Sequence, residues 1–319
     1  MYRSTRRARR RSRLRRYMVG AVLVAFVGAS LTTLAIATDT FGAGERWISL
    51  VARVERLMAG PVPDRATLKT VKMTEPPEIE ASPEPTAAAS AVAPGGAVPS
   101  TDPVATPTPR PARKPMDVDI VERPNRVFAS QHHKDWCAPA GVQTVLAILG
   151  KADTTDATQI AIAGRIRQWE AWEDSHNGDW GPAAMALALD SYGAPGYEVR
   201  AFEHMTYALR DAAVAIQSTQ SPAILLAWRG AHTWVMSGYR ADGDPAIFRN
   251  TKIEGAYILD PWYPRISSIW GASHPPGTFT TFDELRENFL PWKRPEGRYP
   301  DRDGLYITVV PTIPRAEAG

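Results

Sequence analysis

Cys137 is the chain's one cysteine, and it stands in SQHHKDWCAPAGVQTVLAILG, residues 130 to 150, between Trp136 and an Ala-Pro pair. Val142, Val145, Leu146 and Leu149 follow at steps of three and four, with Gly150 after them, which predicts an amphipathic helix over 138–149 ended by that glycine. Pro139 fits its first turn, where a missing N–H costs nothing. The cysteine then lies at a helix N-terminus, whose unpaired N–H groups and dipole stabilise an anion and favour the thiolate, the nucleophilic form of the side chain. A thiolate nucleophile needs a base to take its proton and a third group to fix that base's tautomer. His232 opens the strand-like run HTWVMSGY and Asp260 closes another, YILD, so adjacent strand ends would present an imidazole with its orienting carboxylate. Gln131, six positions before Cys137, brings a side-chain amide within reach of an oxyanion that the Cys137 N–H would also face.

Further elements must hold these groups. Helices are predicted over 156–169, 181–192 and 205–218, ahead of short runs rich in β-branched and aromatic residues: AILLAW (223–228), HTWVMSGY (232–239), YILD (257–260) and LYITVV (305–310). Arg229-Gly230-Ala231 is the expected hairpin turn between the first two runs. Helices first and strands afterwards indicate an α+β domain with an antiparallel sheet, spanning 116–314.

Gln131, then DWCAPA, then a strand-heading histidine in AHTWVMSGY, then ILDPW together resemble a papain-like cysteine peptidase of clan CA. Within that superfamily the pattern is most similar to the peptidase-like family related to the double-glycine leader peptidases of bacteriocin exporters. The resemblance covers roughly residues 125 to 265. It implies a papain-like fold, with a helical part carrying the cysteine and an antiparallel sheet carrying histidine and aspartate. It also implies Cys137 as nucleophile, His232 as general base and then acid, Asp260 as its orienter and Gln131 as oxyanion donor. No cofactor or metal is implied, and the substrate is a peptide or protein. Ala138 stands where that family has glycine, which puts a methyl beside the oxyanion hole.

The rest of the chain says where such a domain would work. Nine arginines precede Tyr17, so a chain of net charge +3 carries about −6 beyond them. The basic balance belongs to a tail, residues 1–17, and does not indicate a nucleic-acid partner. Met18 to Ala37 runs without a charge and, at about 1.5 Å per residue, matches a bilayer core of about 30 Å. The arginines on its N-terminal side place the tail in the cytoplasm and the bulk of the chain outside. A transmembrane helix over 18–38 is therefore expected. Ala35-Ile36-Ala37 also fits a signal-peptide cleavage site, which would make the product secreted. Apolar residues from Trp47 to Met58 recur at helical steps, predicting a juxtamembrane amphipathic helix over 39–60 that lies on the membrane or self-associates through 45–59. Thirteen of the 28 prolines fall between Pro61 and Pro115, which reads as a disordered linker over 61–115.

Other chemistry-bearing residues carry less. Adjacent His132 and His133 on an extended segment point opposite ways and read as loop residues rather than metal ligands. The run EDSHNGDWG (173–181) lacks the closing bidentate glutamate of a calcium loop and reads as a turn. Two other enzyme classes keep the same residue order, an acyl transferase of transglutaminase type and a hydrolase of cell-wall peptides. A binding module that retained the fold without turnover is the non-enzymatic alternative.

Overall fold

The computed structural model describes Met58 and residues 68–73, 112–174, 180–293, 297 and 299–315. The chain divides into two compact units, Met1–Val62 and Pro63–Gly319, and every element named here lies in the second. The expected tail, membrane span, amphipathic helix (except Met58) and most of the linker lie outside the described residues. Among the described residues no helix is long and apolar enough to cross a membrane.

The domain is α+β around a central sheet. In chain order its strands are β1 (Val71–Lys72), β2 (Met116–Asp119), β3 (Tyr197–Phe202), β4 (Ala223–Leu226), β5 (His232–Ala241), β6 (Ile253–Leu259), β7 (Ile266–Ser267), β8 (Gly271–Ala272), β9 (Thr278–Thr281) and β10 (Tyr306–Pro311). The longer helices are α1 (Cys137–Ile148), α2 (Asp156–Gly164), α3 (Pro182–Ser191), α4 (Met205–Thr219) and α5 (Phe282–Asn288). The main sheet runs β1-β3-β10-β4-β5-β6-β9, with β2 pairing to the far half of the long β5, while β7 and β8 form a separate small ribbon. All of these pairings are antiparallel except β1 with β3.

Alternation along the strands sends Val199, Ile224, Val235, Leu259 and Val309 into one core with α1 and α3. It sends Leu225, Trp234, Met236, Ile258 and Val310 into a second core, with α4 and α5 on the opposite face. Burial on both faces explains why β4 and β5 read as near-continuous apolar runs.

Several sequence expectations change. The helix expected over 156–169 stops at Gly164 and resumes as a 3₁₀ turn, Ile166–Gln168; the Arg165 guanidinium lies over the Trp169 and Tyr192 rings. The third strand begins at Ile253, four residues before the run that marked it, because Gly255 packs its bare Cα against β9; a Cβ there would lie 2.3 Å from the Thr280 carbonyl. β3 lies between helices, so helices and strands are not segregated along the chain. Part of the linker is not spacer. TLKTVKM (68–73 covers LKTVKM) contains no proline, and Val71 and Lys72 pair with Arg200 and Ala201. Asp174, in the run read as a turn, accepts from the Ala183 and Ala184 N–H groups at the start of α3 and pairs with buried Arg302 at 2.8 Å. Residues 175–179 of that run lie outside the described residues.

Candidate active site

α1 starts at Cys137 itself, with no side chain capping it at Trp136. Its approach to the sheet is set by Gly141, one turn on: a Cβ there would sit 2.5 Å from the Thr233 Cγ2 of β5. That close contact brings the helix N-terminus to the strand end carrying His232. The Cys137 Sγ lies 3.8 Å from the Ala231 carbonyl oxygen, to which it donates.

His232 is buried, at 2% exposure. Its Nε2 lies 2.6 Å from Asp260 Oδ1, and Cys137 is near enough to act on its charge. Asp260 is held below the usual carboxylate range. Burial pushes it up, and this is outweighed by the His232 charge and hydrogen bond, the Ser273 side chain and the Trp262 N–H, which donates at 2.9 Å. A carboxylate accepts, so Nε2–H donates, leaving Nδ1 as the nitrogen for Cys137. Burial alone pulls His232 down; the Asp260 charge and hydrogen bond, then the Cys137 contact, reverse this and push it up to about 9.

The imidazole is clamped as well as charged. The Trp228 ring stacks on it at 3.8 Å between centroids, and Trp262 stands edge-on at 6.4 Å. Trp228 is aimed by an unusual turn, Ala227–Gly230, in place of the simple hairpin expected from Arg229-Gly230-Ala231. Trp228 (φ 52°, ψ 44°) and Arg229 (φ 60°, ψ 35°) are both left-handed, followed by Gly230 at φ 86°. Each non-glycine residue in that region costs about 1–2 kcal/mol. Outside contacts hold the turn: Trp228 Nε1 donates to Asn288 Oδ1 at 3.1 Å, and the Lys293 N–H donates to the Arg229 carbonyl at 3.0 Å.

Gln131 is placed beside the other groups but differently from expectation. Its own N–H donates to the Pro261 carbonyl at 2.8 Å, tying the segment before Cys137 to the segment after Asp260. Its Nε2 donates to the carbonyls of His133 and Lys134, each at 2.8 Å, so both amide hydrogens face main chain rather than an oxyanion. Its buried Oε1 has no hydrogen-bond partner among the described residues. Gln159 completes the loop's support, accepting from the His132 N–H at 2.6 Å and donating to the Ser130 carbonyl and Gln143 Oε1, each at 3.0 Å. The Ala138 methyl belongs to the first core, at 4% exposure, and so does not occupy the mouth of the site.

Cys137, His232 and Asp260 thus come together, with Gln131 alongside. Sequence reasoning placed Trp228 only as core or cleft lining, without its stacking on His232, and missed Asn288, Ser273 and Gly141. Gly141 alone left a local trace, as a glycine inside a helical pattern.

No protein-family model matches the chain, and no curated protein sequence does. A weak structural neighbour is known. It is the crystal structure of a double glycine motif protease from AMS/PCAT transporter in complex with the leader peptide, at 16% identity and a TM-score of 0.31, covering 62% of this chain and 99% of that one. A likeness at that level decides nothing about the reaction, and the geometry of the site stands without it.

Proposed function

We propose that the chain is a papain-like thiol hydrolase that cleaves a peptide or related amide bond through a thioester on Cys137. The observation that carries this reading is the buried array in which Asp260 holds His232 by Nε2 and leaves Nδ1 to Cys137. With His232 pushed up to about 9, the imidazolium persists through neutral pH as the charged partner beside Cys137. The thiolate attacks the carbonyl carbon, and the C=O π pair moves onto oxygen, facing the Cys137 N–H at the uncapped start of α1. Nδ1–H protonates the amine as the C–N bond breaks, leaving the thioester. Nδ1 then takes a proton from water, whose oxygen attacks the thioester and expels thiolate, completing hydrolysis to acid and amine. Gln131 acts first as a positioning residue for the loop before Cys137, and joins the oxyanion only if an Nε2 hydrogen leaves its main-chain acceptor.

The arginine-rich tail and the apolar run after it support a single-pass arrangement, with the tail in the cytoplasm and this domain outside. Alkylation tests the chemistry. Between pH ~6 and ~7, iodoacetamide should modify Cys137 about tenfold faster than a free thiol, and His232→Ala should erase the excess. Equal rates in the unsubstituted chain would sink the catalytic reading. They would favour the binding-module reading instead, for which the committed Gln131 amide is the supporting observation.

A further inference from the structure

A cavity of about 260 Å³ opens behind the site, on the face of the sheet that α5 covers. Asp260 and Trp228, the two residues that hold His232, form part of its wall, and Cys137 is not among its lining residues. Trp228, Trp234 and Trp270 supply its aromatic surface, with the Trp228 and Trp270 rings parallel within 7° at 5.9 Å. Glu284 and Glu287 of α5 add carboxylates to its lining beside the imidazole of His274, and no lysine or arginine lines it. Glu284 uses Oε2 to accept from the Thr281 N–H and hydroxyl, at 2.8 and 2.7 Å, which leaves Oε1 for a ligand. Trp234, 6% exposed, carries a buried indole N–H with no acceptor among the described residues.

These features select for a ligand. Aromatic faces and carboxylates both attract organic cations, and indole is the strongest ring for that purpose. We propose that this cavity is a recognition pocket for a cationic side chain, lysine or arginine in type, of the peptide that Cys137 attacks. That the ligand is part of a peptide substrate rests on the hydrolase reading; the preference for a cation rests on the cavity alone.

The experiment titrates the full chain with Nα-acetyl-lysine N-methylamide, its arginine counterpart and the neutral norleucine analogue, following the tryptophan indole N–H resonances. The two cationic probes should half-saturate at least about tenfold lower than norleucine, with the gap narrowing in ~1 M salt. Combining Glu284→Gln with Glu287→Gln should remove the preference; glutamine at 284 still accepts in the capping box, so α5 stays formed. Equal half-saturation by lysine and norleucine, or no response to either, would overturn the pocket while leaving Cys137 reactivity untouched. A lysine preference in a chain whose thiol shows no excess reactivity would uphold the cation pocket and defeat the hydrolase reading instead.

Discussion

Asp260→Asn keeps the shape of the side chain that holds His232 and removes its charge. His232 reaches about 9, from an ordinary value of 6.5, because the Asp260 charge and hydrogen bond overcome burial, the largest single influence on it. Without that charge the imidazole loses the largest influence that raises it and falls from about 9. At pH ~7.5 the imidazolium then drops from more than about nine-tenths of molecules, so thiol alkylation and any amide turnover should slow. Stability should move in step. A group raised from 6.5 to about 9 on folding contributes roughly 3 kcal/mol, fully present below 6.5 and lost as pH rises through about 9. Asp260 is depressed, so its share is present above its unfolded value and lost as pH falls through its lower folded one. Iodoacetamide rates across pH, with urea unfolding at pH ~6 and ~9.5, measure both effects. In the unsubstituted chain urea resistance should fall as pH rises through about 9, whereas the asparagine variant should show no such step there. An Asp260→Asn chain with the original alkylation profile would refute the electrostatic account of His232.

Three other substitutions probe the scaffold. Gly141→Ala forces a methyl into Thr233 and should destabilise by about 1–3 kcal/mol in urea while lowering alkylation more than stability alone explains, because it moves α1 off β5. Arg229→Gly should be more stable than Arg229→Ala by about 1 kcal/mol, reversing the usual order, since φ at 229 is 60°; thermal unfolding of the pair decides it. Arg302→Met leaves Asp174 buried without its cation and should destabilise by about 3–5 kcal/mol in urea; a loss below about 1 kcal/mol would show that the pair is dispensable.

The helix after Cys137 was legible because its apolar positions and closing glycine are local signals, and it begins one residue earlier than its pattern suggested. The same holds for α4 and for the start of β5 at His232. β3 was overlooked although YEVRAF alternates as a half-buried strand should, because it is short and follows a helix. β1 and β9 are shorter still, and only their partners make them strands. Within the site, residue types and order indicated Cys137, His232 and Asp260, since each is marked by its own neighbours. The stacking of Trp228 depends on a left-handed turn held by Asn288, 60 residues away, and no local pattern encodes it. The two carbonyls that occupy the Gln131 amide are close in sequence, yet that choice depends on how the loop is pinned by Gln159 and Pro261.

β10 is the last strand of the domain in sequence, yet it lies inside the sheet, between β3 and β4. A chain emerging from a ribosome or an export channel in order therefore holds Cys137, His232 and Asp260 well before residues 306–311 arrive to join the two halves of the sheet. Until then β4, which leads into the Trp228 turn, has an open edge. A partly emerged chain therefore holds Cys137, His232 and Asp260 without the closed sheet that positions them.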